Sequence, residues 1–260
     1  MRGNKLFSEA FDLTVHADYR FPQLEIFAFL YAIGAFAFGL GNVTLTHSGS
    51  FMLILISNLM NIPLYVFLIL VLKNLAYGLG NDLQKGKIRT LLSYKAKNVW
   101  AAKFLSTLGI GLLLFFAVQL FALLIVAPAM ITTDIGTVLL TYLANTGYVL
   151  LLTAIIFLVT MLLKRGVASL VVAILVYLAI GISIQAASSS ALAANSILPL
   201  QIISLLNPST ALTAYYGLAS AKIAWIPTLA ESGLYLIGNY LIIAFLFFLG
   251  YYYFCRWLKA

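Results

Sequence analysis

Charge is what this sequence has least of. Only 8% of its 260 residues are Asp, Glu, Lys or Arg, and seven of those are acids. An ordinary soluble domain carries about 25% charged residues. So few charges cannot build a water-facing shell around a chain that is 63% apolar with a mean hydropathy of +1.07. A soluble globular protein is excluded, and so is a disordered one, because disorder follows from low hydrophobicity. One cysteine, Cys255, excludes an intrachain disulfide and a cysteine-built metal site. The two histidines, His16 and His47, lie outside the long apolar runs, and no His-Glu-x-x-His or paired-glutamate motif occurs. Membrane metallopeptidase chemistry and a histidine-based serine protease therefore lack their groups. The nearest approach to a phosphate loop, Gly80 to Lys87, has five residues between its glycines and Ile88 where Ser or Thr is needed. No cofactor is expected in this chain.

Long apolar runs are what the sequence has instead. A helix rises about 1.5 Å per residue, so about 20 apolar residues cross the hydrocarbon of a bilayer. Six runs meet that length: Ile26–Leu45, Phe51–Leu72, Phe104–Ala127, Val138–Leu163, Val167–Ala187 and Ser232–Cys255. The expected fold is a single all-α polytopic membrane domain over residues 1–260. It has six transmembrane helices, with both termini on one side. Fourteen of the fifteen bases (Arg2, Lys5, Arg20, Lys73, Lys85, Lys87, Arg89, Lys95, Lys97, Lys103, Lys164, Arg165, Arg256 and Lys259) fall on that side, leaving only Lys222 opposite. The positive-inside rule makes it cytoplasmic, in a multi-pass protein of the cell membrane. The net charge of +8 is thus a topology signal that also attracts anionic lipid, and nucleic acid is not needed to explain it.

Three segments flank the spans. In residues 1–24, Phe7, Phe11 and Val15 share a helical face with Leu6 and Ala10, while Ser8, Glu9 and Asp12 face away. This is the pattern of an interfacial amphipathic helix, ended by Pro22. Residues 73–103 form a cytoplasmic loop. Residues 188–231 are apolar but broken by prolines, which suits a re-entrant or interfacial segment. The spans have no ionisable group near their middles, so the proton and ion relays of a secondary carrier are missing. Their polar groups are neutral. Asn58, Asn61, Gln119, Asn145 and Asn239 either bond helix to helix or line a path. Asn58 and Asn61 lie three apart near the kink expected at Pro63, with Gln119 and Asn145 as candidates for the same cavity. Pro199, Asn207, Pro208, Tyr215 and Tyr216 are the candidate gate. Gly34, Gly39, Gly41, Gly109 and Gly111 are candidates for close helix contacts between two copies.

The cytoplasmic loop carries the most information. It reads Asp82-Leu-Gln-Lys-Gly86-Lys-Ile88-Arg89-Thr90-Leu91-Leu92-Ser93-Tyr94 and reaches Lys103 at the third span. Here the chain resembles the permease subunit of type-2 ATP-binding-cassette (ABC) exporters. Their loop has an acid, Gly-Thr-Ile/Leu, Leu-Leu-Ser, a proline and a Gly-Lys opening span three. Lys87, Lys95 and Ala102 depart from that pattern. Leu206-Asn207-Pro208 is similar to the family's proline motif. The resemblance implies a permease that is not itself an enzyme. It would pair with a second permease copy, as a homodimer or with a paralogue, and with two copies of a separate ATPase subunit that binds ATP and Mg. Asp82, Gly86 and Ile88–Tyr94 would form the coupling helix docked on that ATPase. An amphipathic or lipid-like cargo (lipid, glycan, drug or peptide) would be exported. The alternatives are a non-transporting membrane anchor and a membrane-embedded enzyme.

Overall fold

The computed structural model describes residues 2–20, 22–39, 51–86, 96–126, 128, 135–194, 197–216 and 225–259. Among these, every regular element is helical. In chain order they are α1 (Arg2–Asp18), α2 (Gln23–Ile33), α3 (Phe51–Val71), α4 (Gly80–Gln84), α5 (Ala96–Phe104), α6 (Ile110–Val126), α7 (Ile135–Leu163), α8 (Gly166–Ala194), α9 (Leu198–Leu206), α10 (Ser209–Tyr215) and α11 (Leu229–Lys259). Among the described residues, five stretches are long and apolar enough to cross a membrane: Leu55–Gln84, Lys97–Val126, Ile135–Leu163, Gly166–Ile184 and Leu229–Arg256. The chain is thus an all-α, multi-pass membrane protein. Gln23–Ala37 is a shorter apolar helix, and residues 40–45 of the expected first span lie outside the described set.

The expected loop at 73–103 is mostly helix. A π-helical stretch, Leu72–Leu79, carries α3 directly into α4, and a second, Leu105–Gly109, joins α5 to α6. Hydropathy ended the spans at Lys73 and Phe104 because charge is costly in hydrocarbon. The helices continue because Lys73 and Lys103 find oxygen partners inside the protein. That helical run ends at Gln84, and Lys85 and Gly86 form a turn. Gly86 has φ +66° and its N–H bonds the Leu83 carbonyl at 3.3 Å. It closes α4 as a left-handed helix terminator, a conformation glycine adopts without Cβ strain.

α7 is the central post of the bundle. Val138, Tyr142, Val149, Leu152, Ile156, Phe157 and Met161 are all buried, with α3 on one side and α11 on another. Close approaches are made by glycine. A Cβ on Gly34 would stand 2.8 Å from Ile62 and 3.0 Å from Pro63, and one on Gly111 would stand 2.8 Å from Leu70. These two glycines therefore serve packing within the chain rather than contacts between copies. At the start of α8, a Cβ on Gly80 would lie 3.0 Å from the Gly166 backbone, so α4 and α8 touch main chain to main chain. Thr228 and Glu231 start α11 with reciprocal bonds, Glu231 Oε2 accepting from the Thr228 N–H (2.7 Å) and Thr228 Oγ1 from the Glu231 N–H (3.2 Å). That is a capping box.

The segment before α11 is not a span but two short helices, α9 and α10, broken at Asn207-Pro208. Asn207 is extended (φ −134°, ψ 91°), as the residue before proline prefers. Leu200, Ile203, Ser204, Ala211 and Leu212 are buried, while Leu198 and Ile202 remain exposed. This segment packs on α7, α8 and α11.

Candidate functional site

A cavity of about 230 Å³ opens at bilayer depth between α3, α7, α8 and the α9–α10 break. α3 contributes Asn61 and Tyr65 with Leu64 and Leu68, and α7 contributes Asn145 and Tyr148 with Val149 and Leu152. Each set follows the spacing i, i+3, i+4, i+7, which lays side chains along one helical face. Tyr177 of α8, Asn207 and Ser209 complete the wall. Asn61 and Asn145 are each ten residues into their helices, so they lie about 15 Å from those helix ends.

The local chemistry aims these groups. Asn145 Nδ2 is held by the Thr141 carbonyl at 2.9 Å, and Ser209 Oγ donates to Asn207 Oδ1 at 2.7 Å. Among the described residues, Asn145 Oδ1 and Asn207 Nδ2 have no protein partner. The cavity wall thus carries an amide acceptor and an amide donor beside three phenols. Among the described residues, no charged side chain lines it. Such a site binds neutral polar groups and disfavours ions, because a buried charge without a partner costs several kcal/mol or more.

The other candidate amides act differently. Gln119 is buried in α6, donates to the Leu59 carbonyl at 2.9 Å and sits 3.5 Å from the Tyr142 hydroxyl. It bonds helix to helix and does not line the cavity. Asn239 of α11 donates to the carbonyls of Leu205 (2.9 Å) and Leu206 (3.1 Å), capping the end of α9. Gly147 makes room for it, since a Cβ there would meet Asn239 Oδ1 at 2.7 Å and Pro208 at 3.4 Å. Asn58 is half-buried and is not part of the cavity wall, although Asn61 three residues on is.

The five candidate gate residues are not gathered in one place. Asn207 faces the polar cavity, and Pro199 lines a separate apolar groove. Pro208 packs near Gly147. Tyr216 sits with its hydroxyl 3.0 Å from Thr137 Oγ1, and Tyr215 packs edge-on against it.

A second cluster lies at the end of the bundle where charges meet. Asp18, 6% exposed, closes the apolar face of α1. Its Oδ1 accepts from Lys103 Nζ at 2.9 Å and its Oδ2 from Ser106 Oγ at 2.8 Å. Lys103 Nζ also lies 3.4 Å from Asp82 Oδ2 in α4. Lys73 Nζ donates to the Asp18 carbonyl and to Gln23 Oε1, both at 2.6 Å, and stands 5.8 Å over the Tyr19 ring. Tyr19 donates to the Ser106 carbonyl at 2.8 Å. Burial, then the neighbouring Asp18 carboxylate, push the Tyr19 phenol above its ordinary range. It therefore stays a donor at any physiological pH. Lys73 and Ser106 both sit in π-helical stretches, whose wider winding turns them inward. One junction thus ties α1, α3–α4 and α5–α6 together.

Of the coupling-loop candidates, Asp82 belongs to this junction and Gly86 ends α4 just beyond it. Ile88, Arg89, Thr90, Leu91, Leu92, Ser93 and Tyr94 lie outside the described residues. Sequence inspection passed over Asp18, Tyr65, Tyr148, Tyr177 and Ser209. Asp18 did carry a signal, because it stands seven residues after Phe11 and three after Val15, and so places an acid on the apolar face of α1. The tyrosines carried none, since aromatic residues are common in every span. Compared with known proteins, no family model matches this chain, and no curated protein or solved structure does either.

Proposed function

We propose that this chain is the membrane-spanning permease subunit of an ATP-driven exporter, and that it moves an amphipathic or lipid-like cargo. One observation carries the proposal: an uncharged, hydrogen-bonding cavity at bilayer depth, walled by Asn61, Asn145, Tyr177 and Asn207 from four different elements. A purely structural bundle would fill that space, because voids lose dispersion contacts. The absence of ionisable groups from its wall argues against coupling to an ion gradient, so the energy comes from outside the chain. The loop resemblance names the source as a separate ATPase subunit, two copies of which would pair with two permeases. In this account Ile88–Tyr94 docks on the ATPase, and the basic side of the chain faces the cytoplasm with both termini.

The ionic junction fits such a relay. Asp82 is four residues before Gly86, just ahead of the docking segment, and through Lys103 it is tied to α1 and α5. Through the Gly80–Gly166 contact the same end of α4 touches α8, which carries Tyr177 into the cavity. A pull on the loop thus has a packed route to the cavity wall, and rocking between two arrangements is the expected response. Co-expression with the candidate ATPase, co-purification, and ATP-dependent cargo movement in vesicles test the assignment. Failure of the folded chain to co-purify with the co-expressed ATPase, with no ATP-dependent cargo movement when both are present in vesicles, would refute it.

A further inference from the structure

Two cavities meet on one seam of the membrane domain, and they differ in kind. Beside the polar cavity runs a groove of about 360 Å³ between α8 and α9, walled by Ile180, Ile184, Pro199, Ile203 and Leu206, with Ser183 its single polar side chain among the described residues. Tyr177 of the polar cavity is three residues from Ile180 of the groove, and Asn207 directly follows Leu206. Along α8 that separation is about 5 Å, less than one helical turn.

We propose that the two cavities form one bipartite site for a lipid of the cytoplasmic leaflet, with an uncharged, hydroxyl-bearing head in the polar cavity and an acyl chain in the α8–α9 groove. The head is neutral because three amides, three phenols and one hydroxyl line its cavity and, among the described residues, no cation does. A phosphate there would be buried without a counter-charge, at a cost no wall residue offsets. The nearest lysine on the same helix, Lys73, is twelve residues from Asn61, about 18 Å away, and is already bound to Asp18 and Gln23. Amides and phenols both donate and accept, which matches sugar or glycerol hydroxyls.

The direction follows from α8. The helix leaves its cytoplasmic end at Gly166, passes Tyr177 and then reaches Ile180 and Ile184, so the groove lies outward of the polar cavity. A lipid held there points its head toward the cytoplasm and its chain away. That is the posture of a lipid drawn from the inner leaflet. The direction rests on the orientation given under Proposed function, whereas occupancy of the site is independent of transport.

The test uses the full chain in phosphatidylcholine vesicles doped with either glucosyl-diacylglycerol or phosphatidylglycerol, each carrying a diazirine at one acyl-chain end. After irradiation, labelled peptides are mapped. The glucosyl probe should mark residues 179–184 and 198–206 about tenfold more than the anionic probe, as expected when one or two hydrogen bonds set the preference. Both probes should mark the exposed α6 residues Leu113 and Leu120 alike. Asn145→Leu with Asn207→Leu should abolish the preference. Ser183→Phe, which fills the groove from an exposed position, should abolish the labelling itself without altering thermal unfolding. Equal labelling of groove and α6 by both probes, or a preference for the anionic one, overturns the proposal. ATP-dependent export measured in the same vesicles separates the two claims. A selectively labelled groove without export keeps the site and removes the permease assignment, and export with an unlabelled groove does the reverse.

Discussion

Replacing Asp18 by leucine attacks the junction at its most buried charge. The carboxylate holds Lys103 at 2.9 Å and Ser106 at 2.8 Å, and Lys103 is itself 7% exposed. Breaking a buried pair by removing one partner costs about 3–5 kcal/mol, mainly because the other charge is left uncompensated. Here the lower end applies. Asp82 remains 3.4 Å from Lys103 and takes over part of its charge, so the loss should be about 3 kcal/mol. For a chain of this size that is a fall in melting temperature of roughly 6–12 °C. The double variant Asp18→Leu with Lys103→Met should recover more than half of it, since an apolar replacement of a whole buried pair is often neutral. Thermal unfolding in detergent, followed by intrinsic fluorescence, reads both, and limited proteolysis within α1 reports whether that helix has come loose. If the single variant melts like the parent, or the double variant melts lower than the single, the ion pair is not what fastens α1 to the bundle.

The remaining predictions probe other joints. Gly147→Ala drives a methyl to 2.7 Å from Asn239 Oδ1, and should cost about 1–3 kcal/mol by overpacking, read as a lower melting temperature that Asn239→Ala partly restores. Gly166→Val should separate α8 from α4, because even a Cβ would stand 2.8 Å from the Tyr77 carbonyl; a cysteine pair at Asn81 and Val167 that crosslinks in the parent background should then crosslink poorly. Arg89→Glu should weaken co-purification with the ATPase while insertion and melting stay unchanged, and undiminished co-purification would remove the docking role of that segment.

How much of this was legible beforehand depends on what each residue must satisfy. Apolar length alone marks α3, α6, α7, α8 and α11, because hydrocarbon leaves a chain no other way to satisfy its backbone. The break at Asn207-Pro208 was legible from proline chemistry. The extension of two helices past Lys73 and Phe104 was not, because hydropathy scores a lysine as exposed and cannot see an aspartate 85 residues earlier in the chain waiting to pair with it. For the candidate site, Asn61, Asn145 and Asn207 stood out as amides in apolar runs, yet so did Gln119 and Asn239. Which amides face a cavity and which cap a carbonyl is decided by helix rotation and by neighbours such as Gly147, and these are tertiary facts. Tyr177 could not be singled out from fifteen tyrosines.

The central claim is that the amide cavity is a path driven by an ATPase partner. Its most direct test is cargo movement per ATP hydrolysed, in vesicles holding the chain with its ATPase, for the parent and for Asn61→Leu with Asn145→Leu. The account predicts that hydrolysis persists while cargo moved per ATP falls about tenfold, as expected when one or two hydrogen bonds to the moving head are lost. An unchanged ratio in a correctly folded variant, or robust export of a small inorganic ion by the parent, would contradict it.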